Sequence, residues 1–241
     1  ELLHGGTSNV VFTLNRGKQD MVLRRPPAVP PPGAEKGVLR EARVLTALRD
    51  TEVPAPYCYG SCEDPEVIGA PFYVMDFVDG TVVRSQTEAD SLSVAQRQRA
   101  GESLVEVLAA IHSVDVDAVG LGELGRKEAY VERQLKRWYG QFQKSEEQVE
   151  GGLNLPSVHA AHAALSAGIP EQGPAAIVHG DYRLDNCMLD AEGNVMAVLD
   201  WEICTLGDPL ADLGLLYVYW SDPDEGAVLP QASPTALEGF P

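Results

Sequence analysis

The chain has 241 residues, 44% of them hydrophobic, so it is long enough to bury one large core or two lobes. Acidic residues outnumber basic ones by 36 to 18, and the formal charge of −18 without a basic patch argues against nucleic-acid binding. No apolar run reaches membrane-spanning length and the first residues do not resemble a signal peptide, which predicts a cytoplasmic protein with no membrane partner. Four cysteines without metal-ligand spacing are expected to be reduced, buried thiols.

The chain opens on a glycine-rich turn followed by a hairpin. Residues 5–9 read Gly-Gly-Thr-Ser-Asn, and such a turn lets backbone N–H groups approach phosphate oxygens. Two apolar runs, residues 10–14 and 21–24, predict strands that flank a polar turn at 15–20. The proline-rich stretch 26–32 predicts a loop, because proline is excluded from helix interiors and central strands.

Side-chain phase singles out one cation and one acid in this part of the chain. Side chains alternate along a strand, so Val22 and Arg24 share a face while Arg25 takes the other. A helix is predicted over residues 35–50, with Glu41 on its apolar stripe. A carboxylate facing a core is costly unless a cation meets it. We therefore predict an ion pair between Arg24 and Glu41; the alternative is a solvated acid on the helix surface.

The chain is predicted to divide into two lobes at a hinge, residues 76–80. Residues 1–79 are predicted to form a small, strand-rich lobe that ends with an apolar strand at 72–75, and residues 80–241 a larger, mainly helical lobe. We expect Trp138 to pack in a core rather than line a cleft. Helices are predicted over residues 94–112, 127–148 and 158–167.

The most specific signal is the stretch 179–186, His-Gly-Asp-Tyr-Arg-Leu-Asp-Asn, followed by Asp-Trp-Glu at 200–202. It supplies a carboxylate, a cation, an amide and a second carboxylate, which phosphoryl transfer from a metal–nucleotide requires. The segment 187–199 between them reads as two short strands around a polar turn. Such a hairpin would return Asn186 and Asp200 to the same end, within reach of one metal ion.

These motifs carry a resemblance. The spacing His-x-Asp-x-x-x-x-Asn is that of the protein-kinase catalytic loop, with Gly180 where that loop usually has arginine. Together with Leu-Gly-Asp-Pro-Leu-Ala-Asp-Leu at 206–213, the chain resembles the aminoglycoside phosphotransferase family, most closely the branch that includes kinase-like domains fused to some acyl-CoA dehydrogenases and uncharacterised actinobacterial proteins. The resemblance implies an α+β, protein-kinase-like bilobal fold with a small β-rich lobe and a larger, mostly α-helical lobe. Against that family, most of the first strand and the C-terminal helices are missing.

The resemblance and the chemistry of the motif assign roles to the second lobe. Asp181 is predicted to be the catalytic base, and Asn186 and Asp200 to hold magnesium through hard oxygen atoms. Arg183 is predicted either to neutralise charge on the transferred group or to form a salt bridge with Asp185 or Glu202. Three further residues are expected to order or anchor the loop, not to touch substrate: His179, Asp208 and Asp212. Contacts to the nucleotide are predicted at Gly5, Gly6, Ser8, Asn9, Arg24, Glu41, Met75 and Phe77.

The predicted activity is transfer of the γ-phosphoryl group of ATP, with Mg²⁺, to a hydroxyl of a small molecule. A hydroxyacyl-CoA or a similar metabolite is the preferred acceptor, with an aminoglycoside or an amino alcohol as alternatives. The rival interpretation is a catalytically silent kinase-like module that binds nucleotide or a partner, which Arg24 in place of the usual strand lysine favours. The sequence makes no prediction of the oligomeric state.

Overall fold

The computed structural model describes residues 1–3, 9–30, 33–149, 151–220 and 233–241. Within these ranges the chain forms an α+β fold. The strands are β1 Leu2–Leu3, β2 Val10–Arg16, β3 Gln19–Arg25, β4 Cys58–Cys62, β5 Phe72–Asp76, β6 Thr81–Val82, β7 Ala176–Val178, β8 Cys187–Leu189, β9 Val195–Val198 and β10 Thr205–Gly207. The helices are α1 Ala34–Leu48, α2 Gln86–Asp90, α3 Val94–His112, α4 Tyr130–Gln148, α5 Pro156–Ala167 and α6 Leu210–Tyr219, with 3-10 turns at Leu184–Asn186 and Trp201–Ile203.

Five of the described strands form one antiparallel sheet in the order β1-β2-β3-β5-β4. The β2–β3 hairpin is longer than predicted, because pairing continues from Val10 opposite Arg25 to Arg16 opposite Gln19. Gly17 has a φ of 71° and makes a two-residue turn possible. The polar side chains at residues 15–20 had predicted a loop. Strand pairing extends into this segment because it joins backbone groups and does not require apolar side chains.

Two strands of this sheet form through pairing with a neighbouring strand, although their own sequences have little strand character. Strand β4, whose sequence is Cys-Tyr-Gly-Ser-Cys, was not predicted and lies at the sheet edge, paired with β5 through a register shift between Cys58 and Gly60. Strand β1 is a two-residue strand on the opposite edge, paired with β2. Short edge strands of weak composition are stabilised by their neighbours, so a single sequence signals them poorly.

The second part of the chain carries the motif stretch on two smaller sheets. Strand β6 follows the connection at 77–80 and pairs with β8, which pairs with β9, while β7 pairs with β10. Helix α3 begins and ends where the sequence predicted, and Ser93 and Gln96 form a capping box at its start. Helix α4 begins at Tyr130, three residues later than predicted.

A single cluster of buried apolar side chains runs from Val22 in β3 to Leu216 in α6. The prediction for Trp138 was wrong, since its side chain is 57% exposed. The adjacent Tyr139 takes the inward position and stacks on His162 of α5, and neighbours on a helix do not share a face. Among the described residues, no helix combines the length and the apolar composition needed to cross a bilayer. The division at residue 79 stays a prediction.

Gly193 in the turn between β8 and β9 is a position where a side chain should be costly. Its φ is 93°, and an added Cβ would lie 2.5 Å from the backbone oxygen of Gln96 in α3. We expect Gly193→Ala to lower the free energy of unfolding by roughly 2–4 kcal/mol, through backbone strain and overpacking. Urea denaturation measures the change.

The matched control is Gly140→Ala inside α4, where an added Cβ meets no atom within 4 Å. That substitution should raise the stability by about 0.5–1 kcal/mol, since alanine loses less backbone entropy in a helix. Equal effects of the two substitutions would contradict the steric explanation.

Candidate active site

The 179–186 loop begins where strand β7 ends. Its first residue, His179, is buried and holds the loop through hydrogen bonds. The imidazole is fully buried, and its Nε2 atom lies 2.9 Å from the carbonyl oxygen of Leu199. Its Nδ1 atom accepts a hydrogen bond of 3.3 Å from the backbone N–H of Asp181. Burial lowers the pKa of His179, so the ring is neutral near pH 7. These contacts agree with the prediction that His179 orders the loop.

Asp212, at the start of α6, anchors the same loop from the other side. Its carboxylate is almost fully buried and accepts backbone hydrogen bonds of 2.8 Å from both His179 and Gly180. The Nε2 atom of His112 lies 3.1 Å from the same carboxylate. The anchoring prediction is confirmed for Asp212. Asp208 instead accepts a hydrogen bond from the backbone of Leu210, so its contact stabilises the start of α6 and not the loop.

Asp181 and Asn186 are joined directly within the loop. The side-chain nitrogen of Asn186 donates hydrogen bonds of 2.8 Å to both the carbonyl and the Oδ2 atom of Asp181. Because both partners are acceptors, the amide must direct its NH₂ group to Asp181, which leaves its oxygen free to bind another group. The Oδ1 atom of Asp181 accepts a 3.1 Å hydrogen bond from Nε of Arg183. The carboxylate is thus held at both oxygens while remaining 31% exposed.

Arg183 makes the salt bridge to Asp185 that the sequence allowed. Its Nη1 atom lies 2.6 Å from Oδ2 of Asp185, and the guanidinium also lies over the ring of Tyr219, 4.7 Å from the centroid. Its described ion pairs are with Asp181 and Asp185, and none of them involves Glu202. The cation is therefore positioned beside the predicted base.

The β8–β9 hairpin brings Asp200 next to Asn186. The backbone N–H of Leu199 donates a 2.8 Å hydrogen bond to the carbonyl of Asn186, so the pairing of the hairpin continues up to the loop. Asp200 follows in the left-handed region with a φ of 67°. A residue other than glycine in this conformation is uncommon and is often found at functional sites.

Arg24 of β3 and Glu41 of α1 form the predicted ion pair, and Arg24 also contacts two further acids. Nη1 of Arg24 lies 3.0 Å from Oε1 of Glu41, while Nη2 lies 2.7 Å from Oδ1 of Asp200 and 3.5 Å from Oε2 of Glu202. Burial opposes the charge of Arg24, but the carboxylates of Glu41 and Asp200 outweigh it and raise the pKa of the guanidinium. Burial also raises the pKa of Glu41 to about 7, against the effect of the neighbouring cation. One cation therefore contacts three acids.

Asn9 connects the glycine-rich turn to this cluster. Its side-chain nitrogen donates a 2.6 Å hydrogen bond to Oε2 of Glu202, and the residue is 7% exposed. Sequence reasoning did not place Glu202 in the site except as a possible partner of Arg183. Its signal was available in the Asp-Trp-Glu spacing, because Glu202 lies two residues beyond Asp200. The predictions for Gly5, Gly6 and Ser8 lie outside the described residues.

A cavity of about 530 Å³ joins these groups. Its wall includes β3, β5, the connection at 77–80 and the β8–β9 hairpin. Of the predicted site residues, those on its wall are Asn9, Arg24, Glu41, Met75, Phe77, Arg183, Asn186 and Asp200. A second, more open depression of about 900 Å³ lies on the outer face of α1. Asp181 is not on the wall of the smaller cavity, but it accepts hydrogen bonds from Arg183 and Asn186, which are. We take the smaller cavity as the candidate site, because Arg183, Asn186 and Asp200 line it.

The donor set fits magnesium. Asp200 presents a carboxylate and Asn186 a free amide oxygen on the cavity wall, and both are hard ligands of the kind that Mg²⁺ prefers. No group of three or more His, Cys, Asp or Glu side chains arranged to hold a metal occurs in the part of the chain that the structure describes.

Arg40 in α1 is a residue of this region that the sequence did not indicate. Its Nη1 atom donates to the carbonyls of Leu124, at 3.1 Å, and Cys204, at 2.8 Å. Cys204 lies four residues beyond Asp200, so Arg40 ties the helix of Glu41 to the segment that carries the predicted metal ligand. No local pattern distinguishes this arginine from a solvated one.

We expect Arg40→Ala to lower the free energy of unfolding by about 1–3 kcal/mol, because two partly buried carbonyls lose their donor. Arg43→Ala is the control, since Arg43 lies on the same helix and makes one exposed hydrogen bond, of 3.0 Å, to Gly120. That substitution should change stability by less than about 0.5 kcal/mol. Urea denaturation of both variants decides whether Arg40 stabilises the contact between α1 and the segment around Cys204. Equal losses of unfolding free energy in the two variants would show that it does not.

A five-stranded sheet and a helix on one side of a cavity, with the β8–β9 hairpin on the other, form a protein-kinase-like fold. The family described as "Phosphotransferase enzyme family" (APH) matches residues 1–233, and the chain belongs to this family. A solved structure from Ralstonia eutropha, assigned to the aminoglycoside phosphotransferases, is 37% identical with a TM-score of 0.80, covering 98% of this chain and 70% of that one. A streptomycin–ATP complex of an aminoglycoside phosphotransferase has a TM-score of 0.66 at 16% identity, covering 92% and 71%, which shows the shared fold.

Curated relatives extend the likeness to much longer proteins. Acyl-CoA dehydrogenase family member 10 of Mus musculus is 34% identical over 209 residues, covering 86% of this chain and 19% of that protein. Acyl-CoA dehydrogenase family member 11 of Homo sapiens is 34% identical over 239 residues, covering 98% of this chain and 30% of that protein. The chain thus spans between about a fifth and a third of the length of these relatives.

Proposed function

We propose that this chain is an ATP-dependent kinase that transfers the γ-phosphoryl group to a hydroxyl of a small molecule. The observation that carries the proposal is the link from Asp181 to Asn186, and from Asn186 through the hairpin to Asp200, with Asn186, Asp200 and Arg24 lining one cavity. Phosphoryl transfer needs these groups in this relation: a base for the hydroxyl, oxygen ligands for a metal, and a cation for the phosphates.

Asp181 is the proposed base. Hydrogen bonds from Asn186 and Arg183 hold its carboxylate in one orientation, which fixes the direction from which the acceptor hydroxyl must approach. The carboxylate takes the proton of that hydroxyl as its oxygen bonds to the γ-phosphorus, while the bond from the γ-phosphorus to the oxygen of the β-phosphate breaks and ADP leaves. Arg183, held at Asp181, is positioned to neutralise charge that develops on the transferred group.

The remaining predicted residues hold the nucleotide. Met75 lies in β5, just before the connection at 77–80, and Phe77 is the first residue of that connection, so both can contact the base of the nucleotide. Arg24 faces the phosphates from β3. Phosphate contacts from Gly5, Gly6, Ser8 and Asn9 are part of the same proposal. Asn186 and Asp200 would hold magnesium, which would supply positive charge to offset that of the phosphates.

A hydroxyacyl-CoA or a related hydroxylated metabolite is the proposed acceptor. The likeness to acyl-CoA dehydrogenase family members 10 and 11 supports it, because a kinase joined to such an enzyme would act on related substrates. The net charge of −18 pulls the other way, toward a cationic aminoglycoside. Exposed charges are screened beyond about 8 Å at physiological salt, so local contacts outweigh the net charge.

The test is an ATP-consumption screen across hydroxyacyl-CoA esters, aminoglycosides and amino alcohols, with and without magnesium. We expect magnesium-dependent ADP release that a hydroxyacyl-CoA stimulates. Stimulation by an aminoglycoside alone would replace the acceptor class and leave the kinase assignment intact.

The rival function is a silent kinase-like module that binds nucleotide without turnover. The observation that favours it is Arg24, whose terminal nitrogens are both engaged by carboxylates. Calorimetric titration with a non-hydrolysable ATP analogue separates the two. Magnesium-dependent binding without turnover on any acceptor supports the module. Equal heat with and without magnesium contradicts the metal role, and absent heat in both conditions contradicts nucleotide binding itself.

A further inference from the structure

Arg24 occupies an unusual electrostatic position at the centre of the site. Its two terminal nitrogens divide between two sides, with Nη1 at 3.0 Å from Glu41 and Nη2 at 2.7 Å from Asp200. Nη2 also lies 3.5 Å from Oε2 of Glu202. The side chain of Arg24 is only 12% exposed, so these interactions are screened far less than those of a surface pair.

The fork of the guanidinium makes this arrangement possible. An ammonium presents a single nitrogen, whereas a guanidinium can hold a carboxylate with one nitrogen and reach another carboxylate with the second. The residue that faces Glu41 thereby also places positive charge directly on Asp200. Among the described hydrogen bonds, Arg24 supplies the one that the Asp200 side chain receives.

This contact competes with a metal ion. Arg24 offsets part of the charge of the Asp200 carboxylate, which lies 2.7 Å from Nη2, and a divalent cation at the same carboxylate would meet like charge from Arg24. Nucleotide phosphates offer Arg24 a different and more strongly charged acceptor. Their arrival would release Asp200 for the metal.

We propose that Arg24 serves as the counterion of Asp200 until a nucleotide binds, so that the site takes up a divalent cation together with the nucleotide and not before it. The inference rests on the proposed function in that Asp200 is taken as the metal ligand. In this proposal Arg24 has two roles: it contacts the phosphates, and it sets the order in which nucleotide and metal bind.

Mn²⁺ titration in the absence of nucleotide tests the proposal, with the free ion followed by electron paramagnetic resonance. Arg24→Met keeps a long side chain but removes the charge and the donors. We expect it to bind Mn²⁺ at least about tenfold more tightly than the unchanged protein, a modest part of the Coulomb interaction at this distance.

Arg25→Met is the matched control. Arg25 is the next residue of β3, and its guanidinium donates to the backbone carbonyls of Pro26 and Ile68, with no described ion pair to an acid. The two variants change the net charge equally, so a gain of affinity in Arg24→Met alone must come from the local contact. Equal Mn²⁺ affinity in both variants overturns the proposal.

A double variant locates the gained affinity. Asp200→Asn added to Arg24→Met should return Mn²⁺ binding to the level of the unchanged protein, and persistence of the tight binding overturns the assignment to Asp200. If Arg24→Met does not fold, as judged by circular dichroism, Arg24→Gln replaces it. Glutamine removes the charge but keeps an N–H donor for Glu41, and Mn²⁺ affinity no higher than in the unchanged protein overturns the proposal.

These titrations are independent of turnover. Failure of the ATP-consumption screen would remove the kinase function without altering the Mn²⁺ comparison. Conversely, an active kinase whose Arg24→Met variant gains no Mn²⁺ affinity would keep the proposed function and lose the counterion role.

Discussion

Replacing Asp181 by asparagine is expected to lower turnover by on the order of 10²–10⁴-fold, the usual worth of a positioned general base. The substitution keeps the size of the side chain but removes the proton acceptor. It also places an amide where Asn186 and Arg183 now donate to two carboxylate oxygens, so one of these two contacts must be lost. Steady-state ATP consumption with a genuine acceptor measures the loss.

Nucleotide affinity should change little in the same variant, because the acceptor hydroxyl takes no part in that complex. Asp185→Asn is the matched control: it removes one negative charge from the same loop and breaks the 2.6 Å contact to Arg183, but leaves the link between Asp181 and Asn186 in place. Its turnover should stay well above that of Asp181→Asn. Near wild-type turnover in Asp181→Asn would contradict the base assignment, and equal losses in both would trace the effect to charge alone.

Asp200→Asn should fail in a different way. It removes a charge from the proposed metal site, so we expect magnesium-dependent nucleotide affinity to fall by at least on the order of tenfold, as metal-site substitutions generally do, with a loss of turnover as well. Arg24 would lose its 2.7 Å partner and keep Glu41, so the strand and the helix should stay joined. Calorimetric titration with a non-hydrolysable ATP analogue, with and without magnesium, gives both affinities.

Glu192→Gln is the control for this measurement. Glu192 is exposed in the turn of the same hairpin and does not line the cavity, so its substitution changes the net charge equally without changing a wall residue. Affinity in magnesium should be unaffected. The metal assignment fails if Asp200→Asn binds the magnesium–nucleotide as tightly as the unchanged protein, and the separation of roles fails if Asp181→Asn shows the same loss of affinity.

Much of this molecule could be predicted from its sequence, because the decisive signals are local. Helix α3 was predicted with the correct bounds, and the β8–β9 hairpin was recognised from its apolar runs and its polar turn. The inward phase of Glu41 was read from helical periodicity, and the residue is 2% exposed. Alternation along a strand chose Arg24 over Arg25, and Arg24 lines the cavity.

What the sequence determined by itself, then, was which side chains face inward and which short motifs stand together. Periodicity reports the orientation of a side chain about the axis of its own helix or strand, and spacing reports what a tight hairpin brings back to one end. Both depend on a few neighbouring residues, which is why they can be read without a partner in view.

Only the tertiary structure decided which inward groups meet. Arg24 and Asp200 are 176 positions apart and Asn9 and Glu202 are 193 apart, yet both pairs are in contact. Orientation about a local axis does not say which element packs opposite, so neither the sharing of one cation among three acids nor the anchoring role of Arg40 was visible in the sequence. Trp138 shows the same limit in reverse: an indole is apolar wherever it lies, and only the packing of α4 on α5 left it exposed.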